Sequence, residues 1–117
     1  MEKSRLLIAA MSEQCIAQIL KSKSKEVELP DVLHPQHLLW MCDQIANNAE
    51  NWPEVKLHRW IGFVQAGMLA NRMLDFEELK HMFEDAKNSY GVNSADQDLI
   101  DHLNPHNSFR MDIGGEG

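Results

Sequence analysis

The apolar residues of this chain recur at spacings of three and four, the period of an amphipathic helix, in four separate stretches. We predict helices over about residues 3–21, 35–49 and 53–71, and a fourth from Asp75 to a stop at Gly91. No stretch alternates apolar and polar residues with β-branched enrichment, so no sheet is expected. The pattern predicts an all-α protein.

Local signals at the helix ends agree with this pattern. Pro35 and Pro53 each suit a first helical position, where the missing N–H costs nothing. Asp75 and Glu78 have the spacing of a capping box, in which each side chain binds the backbone N–H of the other residue. A short fifth helix is predicted over residues 94–103. The expected architecture is therefore a compact bundle of four main helices plus a short C-terminal helix.

The bundle is predicted to form one domain over residues 1–103. Residues 104–117 have few apolar side chains and end in glycines, so we expect a flexible tail. The short apolar run near the N-terminus continues as a helical pattern, which favours a first helix over a signal peptide. No apolar stretch approaches the length of a membrane span, so a cytoplasmic protein is expected.

The third helix is apolar on two sides. At 100° per residue, one stripe predicts the core contact and consists of Leu57, Trp60, Ile61, Val64 and Met68. The other side carries Val55, Arg59, Gly62, Phe63, Ala66 and Ala70. An interior glycine costs about 0.5–1 kcal/mol relative to alanine, so Gly62 and Gly67 require a packing reason. We therefore predict that this helix is central and contacted on both sides.

The small residues of that second side form a shallow groove that suits a second helix. We predict a self-association surface at Arg59, Gly62 and Ala66. The contact could come from this chain's own helices or from another copy, and the sequence leaves both open.

Trp40 falls off the core stripe of the second helix, which consists of Leu38, Met41, Cys42, Ile45 and Ala49. A tryptophan beside polar neighbours is typical of a binding hot spot. We predict that Trp40 and His37 contact a partner protein. The alternative is that Trp40 covers the edge of the core or is itself covered by residues 22–34.

The net charge of −7 lies entirely in residues 73–117, because residues 1–72 carry equal numbers of basic and acidic side chains. Such a balance disfavours direct binding of nucleic acid or membrane and would attract a basic partner. The outer face of the fourth helix is predicted to present the carboxylates Glu77, Glu78, Glu84 and Asp85. Spaced carboxylates can imitate a phosphate backbone, although a solubilising face is the simpler reading.

No signature of catalysis or of cofactor binding is present. Glu78 and His81 have the Glu-x-x-His spacing of di-iron bundles, but both fall on the solvent side of their helix and no second motif exists. Cys15 and Cys42 lie on apolar helix faces, which predicts buried, inert thiols in a reducing compartment. We therefore predict no catalytic residues, no metal and no cofactor.

The segment "HLLWMCDQI" at 37–45 followed by "KLHRWIGFVQAGMLANRMLDFEELK" at 56–80 resembles small helical proteins of tailed phages and prophages. The resemblance covers about residues 33–82 and carries no known functional residues with it. It implies an accessory protein that acts in a bacterial cytoplasm.

These observations favour a non-enzymatic protein-binding, adaptor or inhibitor protein, which in a phage setting would act on a host protein. One alternative is an acidic decoy that occupies a nucleic-acid-binding protein. Another is a helical oligomer that binds a small ligand between copies, around Arg59 and His58.

Overall fold

The computed structural model describes residues 2–22 and 28–90, and four α-helices account for most of them. The helices are α1 (Lys3–Lys21), α2 (Pro35–Asn47), α3 (Glu54–Ala70) and α4 (Phe76–Tyr90). A single 3-10 turn, Asp31–Leu33, precedes α2, and the described residues contain no strand. The all-α bundle is thus confirmed. The predicted fifth helix and tail lie outside the described residues.

The helix starts follow the local signals closely. Pro35 occupies the first turn of α2, whereas Pro53 lies one residue before α3 as its N-cap rather than inside it. The capping box of α4 is formed in both directions. The backbone N–H of Glu78 donates to Asp75 Oδ1 at 2.8 Å, and the backbone N–H of Asp75 donates to Glu78 Oε1 at 2.9 Å.

The turn that ends α3 is made by Arg72, a residue type that does not usually end a helix. Arg72 has a φ of 58°, the left-handed conformation that glycine usually supplies after a helix. The N–H of Arg72 donates to the carbonyl of Leu69, and the N–H of Met73 donates to the carbonyl of Met68. These two bonds make a Schellman motif, which turns the chain sharply from α3 toward α4.

The core is a single cluster of apolar side chains drawn from one side of each helix. Its fully buried members include Leu7 and Ile8 of α1, Leu38 of α2, Ile61 of α3 and Leu79 of α4. Burying a side chain of this size contributes about 1.5–3 kcal/mol, so the cluster supplies the main driving force for folding. Trp60 only packs against the edge of this cluster and stays half-buried, although its position in the stripe predicted a core residue.

The prediction that the third helix is central needs correction, because α1 takes that position. α1 packs against α2, α3 and α4, whereas the main contacts of α3 are with α1 and α2. The prediction was based on Gly62 and Gly67, and it is wrong because only Gly67 faces another helix of the bundle. A Cβ built at Gly67 would lie 2.7 Å from Leu38 Cδ2, so this glycine permits close packing of α3 on α2.

Arg5 of α1 fixes the connection between α2 and α3. Its guanidinium donates to the carbonyl oxygens of Ala49 at 2.9 Å and Trp52 at 2.7 Å. Its Nε lies 3.9 Å from Glu54 Oε1, which also accepts a hydrogen bond from Ser4 Oγ. Because these contacts join α1 to a loop more than 40 residues away in the chain, they set the angle at which α3 enters the bundle.

Candidate functional site

An open groove of about 430 Å³ lies between α2 and α3 beneath the 3-10 turn. Its lining is mostly apolar and consists of Val32, His37, Trp40, Met41, Trp60 and Phe63. We call this concavity the Trp40 groove. Two of the residues predicted to contact a partner, Trp40 and His37, line it together.

Trp40 reaches the groove because it lies off the buried stripe of α2. Leu38, Met41 and Cys42 turn toward the core, which leaves Trp40 half exposed, at 50%. The His37 ring stacks one turn earlier, with 5.4 Å between the ring centroids. Half of the Trp40 side chain is thus exposed, as its place off the core stripe predicted, and the other half lies near His37 and Trp60. Its contact with a partner remains a prediction.

The aromatic row continues from α2 onto α3. The centroid of the Trp60 ring lies 5.7 Å from that of Trp40 and 4.7 Å from that of Trp52, with an edge-on arrangement in the second pair. Lys56 Nζ lies 3.7 Å from the Trp52 centroid and 5.4 Å from the Trp60 centroid. This cation–π contact closes one end of the row, so the open aromatic surface is that of Trp40.

Val32 completes the other wall and was not singled out from the sequence. It is 50% exposed on the 3-10 turn, whose position is fixed by Asn71. Asn71 Nδ2 donates to the carbonyl of Leu33 at 2.6 Å and to the carbonyl of Gly67 at 2.8 Å. In the sequence Val32 is only an apolar residue in a connection that contains prolines. That pattern does not indicate which residues of α2 and α3 it lies near in the folded chain.

The outer side of α3 continues from the groove at Phe63 and is exposed and apolar. Val55 is 71% exposed and Phe63 39% exposed, and Ala66 is also exposed. The predicted self-association residues Arg59 and Gly62 share this side with Ala66. We call the set Val55, Arg59, Gly62, Phe63, Ala66 and Ala70 the outer α3 face.

Arg59 and His58, the residues of the small-ligand alternative, have different surroundings. Arg59 is exposed on the outer α3 face, whereas His58 is half-buried and its Nε2 is buried without a hydrogen-bond partner. Neighbouring residues on a helix point about 100° apart, so one chain does not bring these two side chains into a common pocket.

The predicted acidic residues lie on α4, away from the lining of the Trp40 groove. Glu77, Glu84 and Asp85 are exposed, as is Glu78, whose carboxylate is engaged in the helix cap. The exposed Lys80 and the half-buried Lys87 lie among them on the same helix. The face therefore carries mixed charge rather than an unbroken row of carboxylates.

The two thiols of the chain are shielded from solvent. Cys15 and Cys42 are buried against each other between α1 and α2. The hydrogen bond with Cys42, followed by burial, raises the pKa of the Cys15 thiol well above its usual range, so this thiol stays protonated at neutral pH. Within residues 2–22 and 28–90, no three metal-ligating side chains cluster closely enough to hold a metal ion.

A second cleft, about 530 Å³, lies at the turn between α3 and α4 and includes Arg72, Asp75 and Glu78. Both carboxylates there accept hydrogen bonds from backbone N–H groups of the capping box. They are therefore structural groups that stabilise the start of α4. The Trp40 groove and the outer α3 face remain the main candidates for a functional surface.

Comparison of the chain with models of known protein families, with curated proteins and with solved structures finds no match in any of the three. In the part of the chain that the structure describes, no helix has the length and apolar character needed to cross a membrane.

Proposed function

We propose that this chain is a non-enzymatic binding protein that engages another protein through the Trp40 groove. The observation that carries the proposal is the half-exposed Trp40 in an almost wholly apolar concavity. A large aromatic side chain in such a setting is the type of residue that dominates protein–protein binding energies. Trp40 is not a member of the buried core cluster, so its open half is available to a partner.

The exposed aromatic area is large enough to anchor a partner. A tryptophan buries roughly 150–250 Å² when fully covered, and about half of Trp40 remains open. At about 25 cal/mol per Å², covering that half contributes about 2–3 kcal/mol. Trp60 and Phe63 add apolar area on the α3 side of the groove.

The lining also defines the chemistry of the partner. Apart from the His37 ring and the indole N–H groups, it offers carbon surface, so the partner would insert apolar or aromatic side chains. The resemblance to small proteins of tailed phages would make that partner a protein of the bacterial host. We place this binding surface ahead of an acidic decoy because Lys80 and Lys87 lie along one edge of the α4 carboxylates and offset part of their charge.

The test is capture of partners from bacterial lysate by the tagged full chain, with quantitative mass spectrometry at low and high salt. We expect at least one protein to be retained at high salt, because an apolar contact is not screened. The Trp40→Ala variant should lose that protein by roughly 30- to 150-fold in affinity, which corresponds to the 2–3 kcal/mol above.

Leu20→Ala is the matched control, because Leu20 is 69% exposed but does not line the groove. This variant should capture the same protein as the unmodified chain. Capture that disappears at high salt, or that is lost on charge reversal at Glu77 and Glu84, would instead support the acidic decoy. Capture that is independent of Trp40 would contradict the proposal.

A further inference from the structure

The two walls of the Trp40 groove differ in charge. On the α3 side, Lys56 lies at one end of the aromatic row, and Arg59 is exposed one turn before Phe63. No aspartate or glutamate occurs between residues 55 and 70. Since positions three and four apart on a helix are neighbours, Lys56, Arg59 and Phe63 form one continuous edge. The α3 edge of the groove is therefore positively charged, in a chain whose net charge is −7.

Both cations of this edge are available to a ligand. Among residues 2–22 and 28–90, no carboxylate forms an ion pair with Lys56 or Arg59. Glu54, the only carboxylate of α3, instead lies 3.9 Å from Arg5 Nε. Lys56 Nζ lies over the Trp52 ring, and an ammonium group in such a contact keeps its charge.

The acidic groups near the groove lie on the α2 side and have partners of their own. Asp43 is the only carboxylate of α2, and its Oδ2 accepts a hydrogen bond from Asn47 Nδ2 at 3.3 Å. Asp31 precedes Val32 on the 3-10 turn, and its Oδ1 lies 3.9 Å from His34 Nε2. Neither carboxylate lines the groove. The charge thus changes from basic to acidic across the groove, from the α3 side to the α2 side.

This arrangement specifies the bound segment more closely than the apolar lining does. We infer that the Trp40 groove binds a peptide segment of the partner that places apolar side chains on Trp40 and carboxylates toward Lys56 and Arg59. The inference rests on the proposed partner binding and names the chemistry of the segment that is bound. Complementary charge fixes the orientation of such a segment, and like charge disfavours a basic one. The groove thus selects the opposite charge from the one that the net charge of the chain attracts.

The apolar contact and the charged edge have different roles in this binding. An exposed ion pair changes affinity by roughly 1.5- to 5-fold, which is far less than the effect of covering Trp40. The apolar contact therefore supplies most of the affinity. Lys56 and Arg59 decide which apolar segments are accepted and in which orientation they bind.

The test is selection of a displayed library of random 12-residue peptides on the purified full chain. Peptides that bind the unmodified chain but not the Trp40→Ala variant are the groove ligands. We expect aspartate and glutamate to outnumber lysine and arginine among them by at least about threefold. Selection on the double variant Lys56→Glu, Arg59→Glu should reverse this preference, because the α3 edge then repels carboxylates.

A synthetic groove ligand measures the effect of one charge. Arg59→Glu should raise its Kd by about three- to tenfold, since an attraction is replaced by a repulsion. Lys80→Glu is the matched control, because it makes the same change of charge at an exposed position of α4 that does not line the groove. It should leave the Kd unchanged. Circular dichroism checks that each variant keeps its fold.

The possible results separate the inference from the proposed function. Groove ligands without an excess of acidic residues would overturn the inference, although partner binding through Trp40 would stand. A Kd that responds equally to Arg59→Glu and Lys80→Glu would overturn it as well. The absence of any peptide that depends on Trp40 would contradict both the inference and the proposed function.

Discussion

The outer faces of α3 and α4 differ sharply although both helices bury one apolar side in the same core. The exposed positions of α3 are Val55, Arg59, Phe63 and Ala66, of which one is charged. Those of α4 are Glu77, Glu78, Lys80, His81, Glu84, Asp85, Asn88 and Ser89, all of them polar.

Folding of the bundle does not require this difference, because a solvent-facing helix position accepts charged residues without cost. Solubility and the capping box at the start of α4 are sufficient to explain the polar residues of the α4 face. The apolar α3 face and the adjoining Trp40 groove lower solubility unless something covers them. The outer face of α3 is thus distinguished by the charge that it lacks rather than by any sequence motif.

The largest expected effect comes from a matched pair of phenylalanines on the two helices. Phe83 is buried on the inner side of α4, and Phe63 is partly exposed on the outer α3 face. Phe83→Ala should lower the free energy of unfolding by about 3–5 kcal/mol, because it leaves a cavity in the core. Phe63→Ala should cost about 1 kcal/mol, since it empties no buried site.

Chemical denaturation of the two variants, compared with the unmodified chain, measures this difference. Equal losses at Phe63 and Phe83 would mean that the outer α3 face is covered within a single chain. The proposed surface would then not exist.

The two glycines of α3 give a second, smaller contrast. Gly67→Ala would bring a Cβ within 2.7 Å of Leu38 Cδ2, and Leu38 is fully buried and cannot move away freely. We expect a net loss of about 1–2 kcal/mol in unfolding free energy. Gly62→Ala lies on the open side and should raise it by about 0.5–1 kcal/mol through helix propensity.

Thermal unfolding of the two variants, compared with the unmodified chain, measures the loss at Gly67 and the gain at Gly62. A loss at Gly62 as large as that at Gly67 would show that both sides of α3 pack within one chain, which is one of the two alternatives that the sequence left open.

Charge reversal on α4 should have the smallest effect. Glu77→Lys and Glu84→Lys change exposed side chains that take no part in the capping box. We expect stability to change by less than about 0.5 kcal/mol. A large loss of stability in chemical denaturation would show that the α4 face makes contacts that its exposure hides.

The periodicity of the sequence predicted the helices and the buried side of each one. The bounds of α1 agree with the prediction, and the capping box of Asp75 and Glu78 forms as expected, because both depend on neighbours in the chain. The same reasoning placed Trp40 off the core stripe of α2. Local pattern is sufficient wherever the deciding contact is within about four residues.

The arrangement of the helices could not be predicted in this way. Periodicity identifies an apolar stripe but not the helix that covers it, so α3 was assigned the central position that α1 holds. The contacts of Arg5 with Ala49 and Trp52, and of Asn71 with Leu33, join residues 38 to 47 positions apart. The left-handed turn at Arg72 was missed because no glycine or asparagine marks the position.

The groove was predicted in part. Trp40 and His37 were identified because both lie on one exposed side of one helix. The position of Val32 in the groove wall depends on packing between elements, and so does the contact of Lys56 with Trp52. A single sequence does not show such packing.

The central claim, that the Trp40 groove binds a protein, is tested most directly by lysate capture with the Trp40→Ala and Leu20→Ala variants side by side. We expect one protein that stays bound at high salt, is retained by Leu20→Ala and is lost with Trp40→Ala. If every captured protein is retained equally by both variants, the groove is not a binding surface.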